Sequence, residues 1–255
     1  QDKVLMIGST VTMPGLTAGK QYTVRFFTSA HQLAGTMATH AGTKFKRAAV
    51  IYANDEYGKN SFKIFKDVFE KAGGQVTGSD EFVPSNTDFK NSVARLLDGD
   101  PECLYVPGYG PAQIAIFQDT RALNPKVILM GDIPMTNPPI YRALGDLANG
   151  VIVPGMPLDA GIVENEKAKK FNADYVAKYG EPPSGTVTIN YDSIMALADG
   201  IAKGHSTATS LREYLRGTPS YDGVSGPIKI GSDGEITITP RAMRISGGKI
   251  LDDLH

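Results

Sequence analysis

Paired cysteines, an excess of one charge and long apolar runs are all missing from this sequence, and each absence removes a class of protein. The single cysteine, Cys103, permits no disulfide within the chain and no cysteine-based zinc site. No apolar stretch approaches the roughly 20 residues that cross a bilayer as a helix, so no membrane-spanning helix is expected. The 26 basic and 27 acidic residues leave a net charge of −1. A nucleic-acid binder usually carries a basic excess, so that partner class is disfavoured. The four histidines, His31, His40, His205 and His255, show no i, i+4 ligand spacing, and no metal site is expected. Also missing are a Gly-x-Ser-x-Gly elbow, a P-loop, a Gly-x-Gly-x-x-Gly turn and His-Glu-x-x-His. Jointly these absences argue against catalysis, and no cofactor is implied. No basic stretch followed by an apolar one opens the chain as in a secretory leader. Instead the apolar run at residues 4–7 follows almost at once, like a strand inside a larger fold.

A length of 255 residues with 41% hydrophobic and 21% charged residues suits two α/β lobes better than one compact domain. Residues 47–53 (RAAVIYA) form a short run of β-formers ended by Asn54-Asp55-Glu56. A helix follows with Phe62, Phe65, Val68, Phe69 and Ala72 on one face, stopped by Gly73-Gly74. Strands are then expected near 75–83, 102–106, 126–130 and 150–154. Helices alternate with them: one carrying Phe89, Val93, Leu96 and Leu97, one at 113–123 and one near 139–147. That alternation is the signature of βαβ units and a parallel sheet. Beyond Pro154 come helices near 163–179, 188–203 and 209–216. A β tail follows, with a turn at Ser232-Asp233-Gly234 and another at Gly247-Gly248.

Open parallel sheets bind ligands outside the carboxyl ends of their strands. Here that rule selects four segments: residues 8–14 with Ser9, Thr10 and Thr12, residues 54–58 with Tyr57, residues 107–111 with Tyr109, and Gly131-Asp132. Hydroxyls and loop amides suit a carboxylate, tyrosines offer apolar walls with a polar tip, and Asp132 could answer an ammonium group. Each has a purely structural reading too. Asp55 and Glu56 suit helix capping, Gly-Tyr-Gly-Pro a turn, and Asp132 the cap of the next segment. Thr10 and Thr12 could satisfy their own turn. Cys103 reads as a buried apolar residue of its strand, and His40 as a helix-surface residue.

In order and spacing these pieces resemble a family, the type I periplasmic solute-binding proteins of the leucine/isoleucine/valine-binding branch. The likeness runs from residue 4 to 251. Residues 4–17 (VLMIGSTVTMPGLT) are similar to its strand and Thr-x-Pro-x-Leu-Thr-type loop, and residues 22–35 to a stretch with an arginine at Arg25. Residues 47–58 resemble the strand followed by Asp-x-Tyr-Gly, Thr87-Asp88-Phe89 a helix opening, and residues 104–109 a strand ending in Gly-Tyr. Tyr191-Asp192, residues 227–234 and Gly247-Gly248-Lys249 continue the pattern.

The resemblance implies a two-lobed type I periplasmic-binding fold with helices flanking parallel sheets. Residues 1–28 and 157–232 would form lobe 1, and residues 29–156 and 233–255 lobe 2. It implies the solute-binding component of an ABC importer, periplasmic or extracellular, closing by a hinge on an amino acid or related small carboxylate and docking on permease subunits. Thr10 and Thr12 fall at the carboxylate loop and Tyr57 and Tyr109 at the cleft tyrosines. The acid for a ligand ammonium falls near Asp132, with Ile133 at the strictly aligned place. His31 stands where relatives carry an aspartate. Relatives also have strand–helix units of lobe 1 before the first strand of this sequence, so lobe 1 is expected to be incomplete and open to self-association. A ligand-sensing receptor or regulator of the same fold and an α/β enzyme are the alternatives; these residues hold no helix-turn-helix.

Overall fold

The structure is a computed structural model that describes residues 3–156, 159, 165–236 and 238–253. Its elements run β1 (Met6–Gly8), β2 (Thr23–Arg25), α1 (Ala30–Lys44), β3 (Arg47–Ala53), α2 (Glu56–Lys71) and β4 (Gln75–Phe82). Then come α3 (Lys90–Leu97), β5 (Cys103–Tyr105), α4 (Pro111–Leu123), β6 (Ile128–Met130), α5 (Pro138–Leu144) and β7 (Ile152–Gly155). The chain continues as α6 (Glu166–Tyr179), α7 (Gly185–Ala202), α8 (Ala208–Gly217), β8 (Tyr221–Gly223), β9 (Gly226–Ile228), β10 (Arg241–Ser246) and β11 (Lys249–Asp252). Short 3-10 turns at Ile133–Thr136 and Gly145–Ala148 flank α5.

The chain divides into two compact units, one of residues 1–29 and 156–239, the other of residues 30–155 and 240–255. The last crossing falls at 239/240 and not near 232. The backbone accounts for the difference. Gly234 accepts a hydrogen bond from the Arg25 N–H at 2.8 Å, and Ile230 bridges Ile236, so the 232–234 turn stays with the first unit.

The second unit is built on a seven-stranded sheet in the order β11-β10-β7-β6-β5-β3-β4. The five strands from β7 to β4 pair parallel, and β10 and β11 add an antiparallel hairpin edge. Strands covered on both faces need apolar residues in both phases, which is why β3, β5 and β6 read as unbroken apolar runs. Ala48, Val50, Cys103, Tyr105, Met130 and Ile152 share one core with Met37, Ala38 and Ala41 of α1 and Phe65 and Phe69 of α2. Phe65 stacks on Tyr105 at 4.6 Å between ring centres and on Phe69 at 5.5 Å. Cys103 is buried in this core, as its place in a strand implied, and burial raises its thiol pKa.

His40 differs from the surface position expected for it. Its Nε2 lies 3.0 Å from Asp253 Oδ2, and Arg244 holds the same carboxylate. Burial lowers the His40 pKa against the pull of Asp253. Helical periodicity alone could not show that α1 is covered there by a residue more than 200 positions later.

In the first unit, β1 and β2 pair parallel, with Gly8 opposite Arg25. The β8–β9 hairpin is held to α7 by the buried Asp192, whose carboxylate accepts the Val224 and Ser225 N–H groups, each at 2.8 Å. Among the described residues no helix is long and apolar enough to cross a membrane.

Candidate functional site

In the second unit the parallel strands end in one place, and three of the sequence-selected segments meet there. Asp55 opens α2 as its N-cap, accepting the Gly58 N–H at 2.8 Å. The next turn must pass close over the end of β3. A Cβ on Gly58 would lie 2.0 Å from the Ala53 carbonyl oxygen, so only glycine fits. This close passage sets Tyr57 one residue before the contact, with its hydroxyl directed to the neighbouring strand ends. It donates to Asp132 Oδ2 at 2.6 Å. The Gly108 N–H, beyond β5, donates to the same oxygen at 3.1 Å, and the Ile133 N–H donates to Oδ1 at 2.8 Å. Gly108 is itself fixed by a close approach, since a Cβ there would meet the Phe82 ring at 2.5 Å.

Asp132 is thus fully buried, with three donors shared between its two oxygens, and it caps the 3-10 turn that begins at Ile133. Burial raises its pKa to about 6, against the opposing effect of those hydrogen bonds. The Tyr57 hydroxyl is pushed well above its ordinary value, by burial first and by the Asp132 charge second. Ile133 is buried beside them. Tyr109 is more open, with 43% of its surface exposed, and its hydroxyl donates to Asp55. Tyr57, Tyr109 and Asp132 are therefore brought together beyond the carboxyl ends of neighbouring strands of one sheet, linked through Asp55 and Gly108.

Replacing Asp55 by alanine removes the α2 cap and the Tyr109 partner together. The expected loss is about 1 kcal/mol of stability, read as a lower urea midpoint, while Tyr109→Phe should leave the midpoint nearly unchanged.

Thr10 and Thr12 belong to the first unit, on the loop that leaves β1. Thr10 is exposed and Thr12 half-buried. Beneath the loop lies Arg25, at the end of β2 and fully buried. Its Nη1 donates to the Val11 carbonyl and its Nη2 to the Met13 carbonyl, both at 2.6 Å. Its Nε pairs with Glu235 Oε2 at 2.7 Å, and the Thr17 hydroxyl donates to Glu235 Oε1 at 2.6 Å. Neither Glu235 nor this use of Arg25 was signalled by sequence pattern, because most of the acceptors are backbone carbonyls. Among the described residues no three His, Cys, Asp or Glu side chains are arranged to hold a metal ion.

Comparison with known proteins follows the same lines. A family described as "Periplasmic binding protein" matches residues 1–249. The Leu/Ile/Val/Thr-binding protein of Salmonella typhimurium is 28% identical over 243 residues, covering 91% of this chain and 63% of the relative. The Leu/Ile/Val-binding protein of Escherichia coli K12 gives the same 28% over 243 residues and the same coverage. The chain therefore spans 63% of the length of these curated relatives. Among solved structures, a leucine binding protein of Thermotoga maritima superposes with a TM-score of 0.89 at 25% identity, covering 98% of this chain and 72% of that one. With its sheet order, its strand-end segments and a match over nearly its whole length, the chain belongs to the periplasmic binding protein family.

Proposed function

We propose that this protein is a solute-binding protein of an ABC importer, taking up an amino acid or a related small carboxylate without changing it chemically. The observation that carries this reading is the loop at Thr10–Thr12, whose flanking carbonyls are engaged by Arg25 while its hydroxyl-bearing residues reach the surface. Such a loop suits a carboxylate. Tyr57 and Tyr109 stand at the places that the family resemblance gives to ligand-facing tyrosines. Asp132 supports Tyr57 and the Gly108 turn, and an ammonium group would meet its charge only through them. The relatives' ligands, leucine, isoleucine, valine and threonine, are the first candidates for this chain. A permease in the membrane is the partner implied by the family, with a periplasmic or extracellular location.

Titration calorimetry against those four amino acids and their deaminated 2-oxo and short-chain carboxylic counterparts tests the reading. The expected result is saturable binding of at least one, with the ligand recovered unaltered. Recovery of a converted product would replace binding by catalysis.

Self-association of the first unit is a further part of the proposal. Val4, two residues before β1, and Met6 on β1 are 72% and 44% exposed, and Ile194 and Ile201 on α7 are 63% and 57% exposed. Strand edges and apolar faces of this kind associate with other chains. Light scattering is expected to show a mass that rises with protein concentration; a constant monomer mass up to about 100 μM would remove this part.

A further inference from the structure

We infer that Arg25 is a positioning residue for ligand recognition: with Glu235 and Thr17 it aims the Thr12 peptide N–H toward the ligand carboxylate. The inference rests on the functional reading above and deepens it.

In a trans peptide the C=O of one residue and the N–H of the next point in opposite directions. Among the described residues no peptide is cis. The Val11 carbonyl points at Arg25 Nη1, 2.6 Å away, so the Thr12 N–H points away from the guanidinium. A charged donor on the carbonyl also polarises that peptide and makes its N–H a stronger donor. The second arm of the fork takes the Met13 carbonyl. The following residue is Pro14, which has no N–H, so that peptide could offer a carboxylate only its oxygen. Arg25 therefore withdraws the Val11 and Met13 oxygens on either side of Thr12 and leaves the Thr12 N–H as a donor.

The fork is held on this task by its hydrogen bonds and by charge. Its Nε lies 2.7 Å from Glu235 Oε2 as an ion pair without hydrogen-bond geometry, and the other Glu235 oxygen accepts from the Thr17 hydroxyl on the far side of the same loop. The Arg25 backbone N–H is held by the Gly234 carbonyl at 2.8 Å, one residue before Glu235. The loop thus closes on itself through two charged side chains. Lysine at position 25 keeps the charge but lacks the planar fork that places one donor on each of two carbonyls.

The test uses the full chain as wild type, Arg25→Lys and Glu235→Gln. Glu235 has a side chain 29% exposed, so Glu235→Gln is the variant that keeps the fold should Arg25→Lys fail to. Two readouts are taken. One is hydrogen exchange of the 9–13 loop without ligand. The other is the affinity ratio between L-leucine, L-isoleucine, L-valine or L-threonine and the corresponding primary amide. The expected result is faster loop exchange in both variants with unchanged circular dichroism, and a carboxylate-over-amide preference that falls at least tenfold in Arg25→Lys and severalfold in Glu235→Gln. Wild-type exchange in the loop of both variants would overturn the inference whatever the ligand. A retained preference in folded Arg25→Lys would overturn it as well. A wild type that binds none of these compounds would instead defeat the functional reading, and the exchange data alone would then decide whether Arg25 orders the loop.

Discussion

Removing both loop hydroxyls, as Thr10→Val with Thr12→Val, is expected to weaken binding of a carboxylate ligand about a hundredfold. A hydrogen bond to a charged group contributes about 1.5–3 kcal/mol, so two of them at the low end give roughly 3 kcal/mol, and 1.4 kcal/mol is a tenfold change in affinity. Valine keeps the branched shape of threonine, and the Arg25 contacts to Val11 and Met13 use backbone oxygens that the substitutions do not touch. Folding stability should therefore stay within about 0.5 kcal/mol of wild type, because the altered positions are an exposed and a half-buried side chain. The loss should not be complete, since the Thr12 N–H remains in place. Calorimetry on the double variant and on each single one reads both the size and the sharing of the effect. Affinity within threefold of wild type for the double variant would remove this loop from the ligand site.

The parallel sheet was legible because its signals are local. The run at residues 47–53 became β3 with those bounds, and Gly73-Gly74 ends α2 where the expected stop lay. The β8–β9 hairpin was not foreseen. Its strands are three residues each, and one of them contains Pro227, so neither alternation nor β-propensity marks it. What fixes it is Asp192, buried on α7 and reaching two N–H groups of the hairpin tip from more than 30 residues away.

The same distinction holds at the site. The strand-end rule selected Tyr57, Tyr109 and Asp132 one by one, since each follows a recognisable strand. It could not show that Tyr57 and Asp132 bond to each other across 75 positions, or that Asp132 is withdrawn from solvent by three donors. Arg25 was visible only as part of a motif. Its role depends on which carbonyls the β1 loop turns inward, and that is a property of backbone path.

Asp132 carries the second large effect, and its sign follows from burial. An aspartate in the unfolded chain titrates near 3.9, while in the folded protein Asp132 is raised to about 6. Between those values the folded state holds a proton that the unfolded state has lost. The contribution of Asp132 to stability is therefore full below about pH 4, falls as pH rises through about 6, and is level above that. Two pKa units correspond to about 3 kcal/mol across the window. Asp159, in the other unit and raised to about 6 by burial as well, adds a slope of the same sign, so the comparison must be with a variant. Asp132→Asn cannot ionise and should flatten the Asp132 share of the slope. It should also cost about 1–3 kcal/mol at pH 4.5, because an amide offers one acceptor where Tyr57, Gly108 and Ile133 present donors to both oxygens. Asp132→Ala leaves all three donors buried without an acceptor and should cost more, about 3–5 kcal/mol, and release Tyr57 and the Gly108 turn together. Urea unfolding at pH 4.5, 5.5, 6.5 and 7.5 measures both terms. If Asp132→Asn shows the wild-type pH slope, the carboxylate is not the titrating group. If Asp132→Ala keeps wild-type ligand affinity despite its lost stability, the strand-end cluster is scaffold alone and Tyr57 leaves the binding site with it.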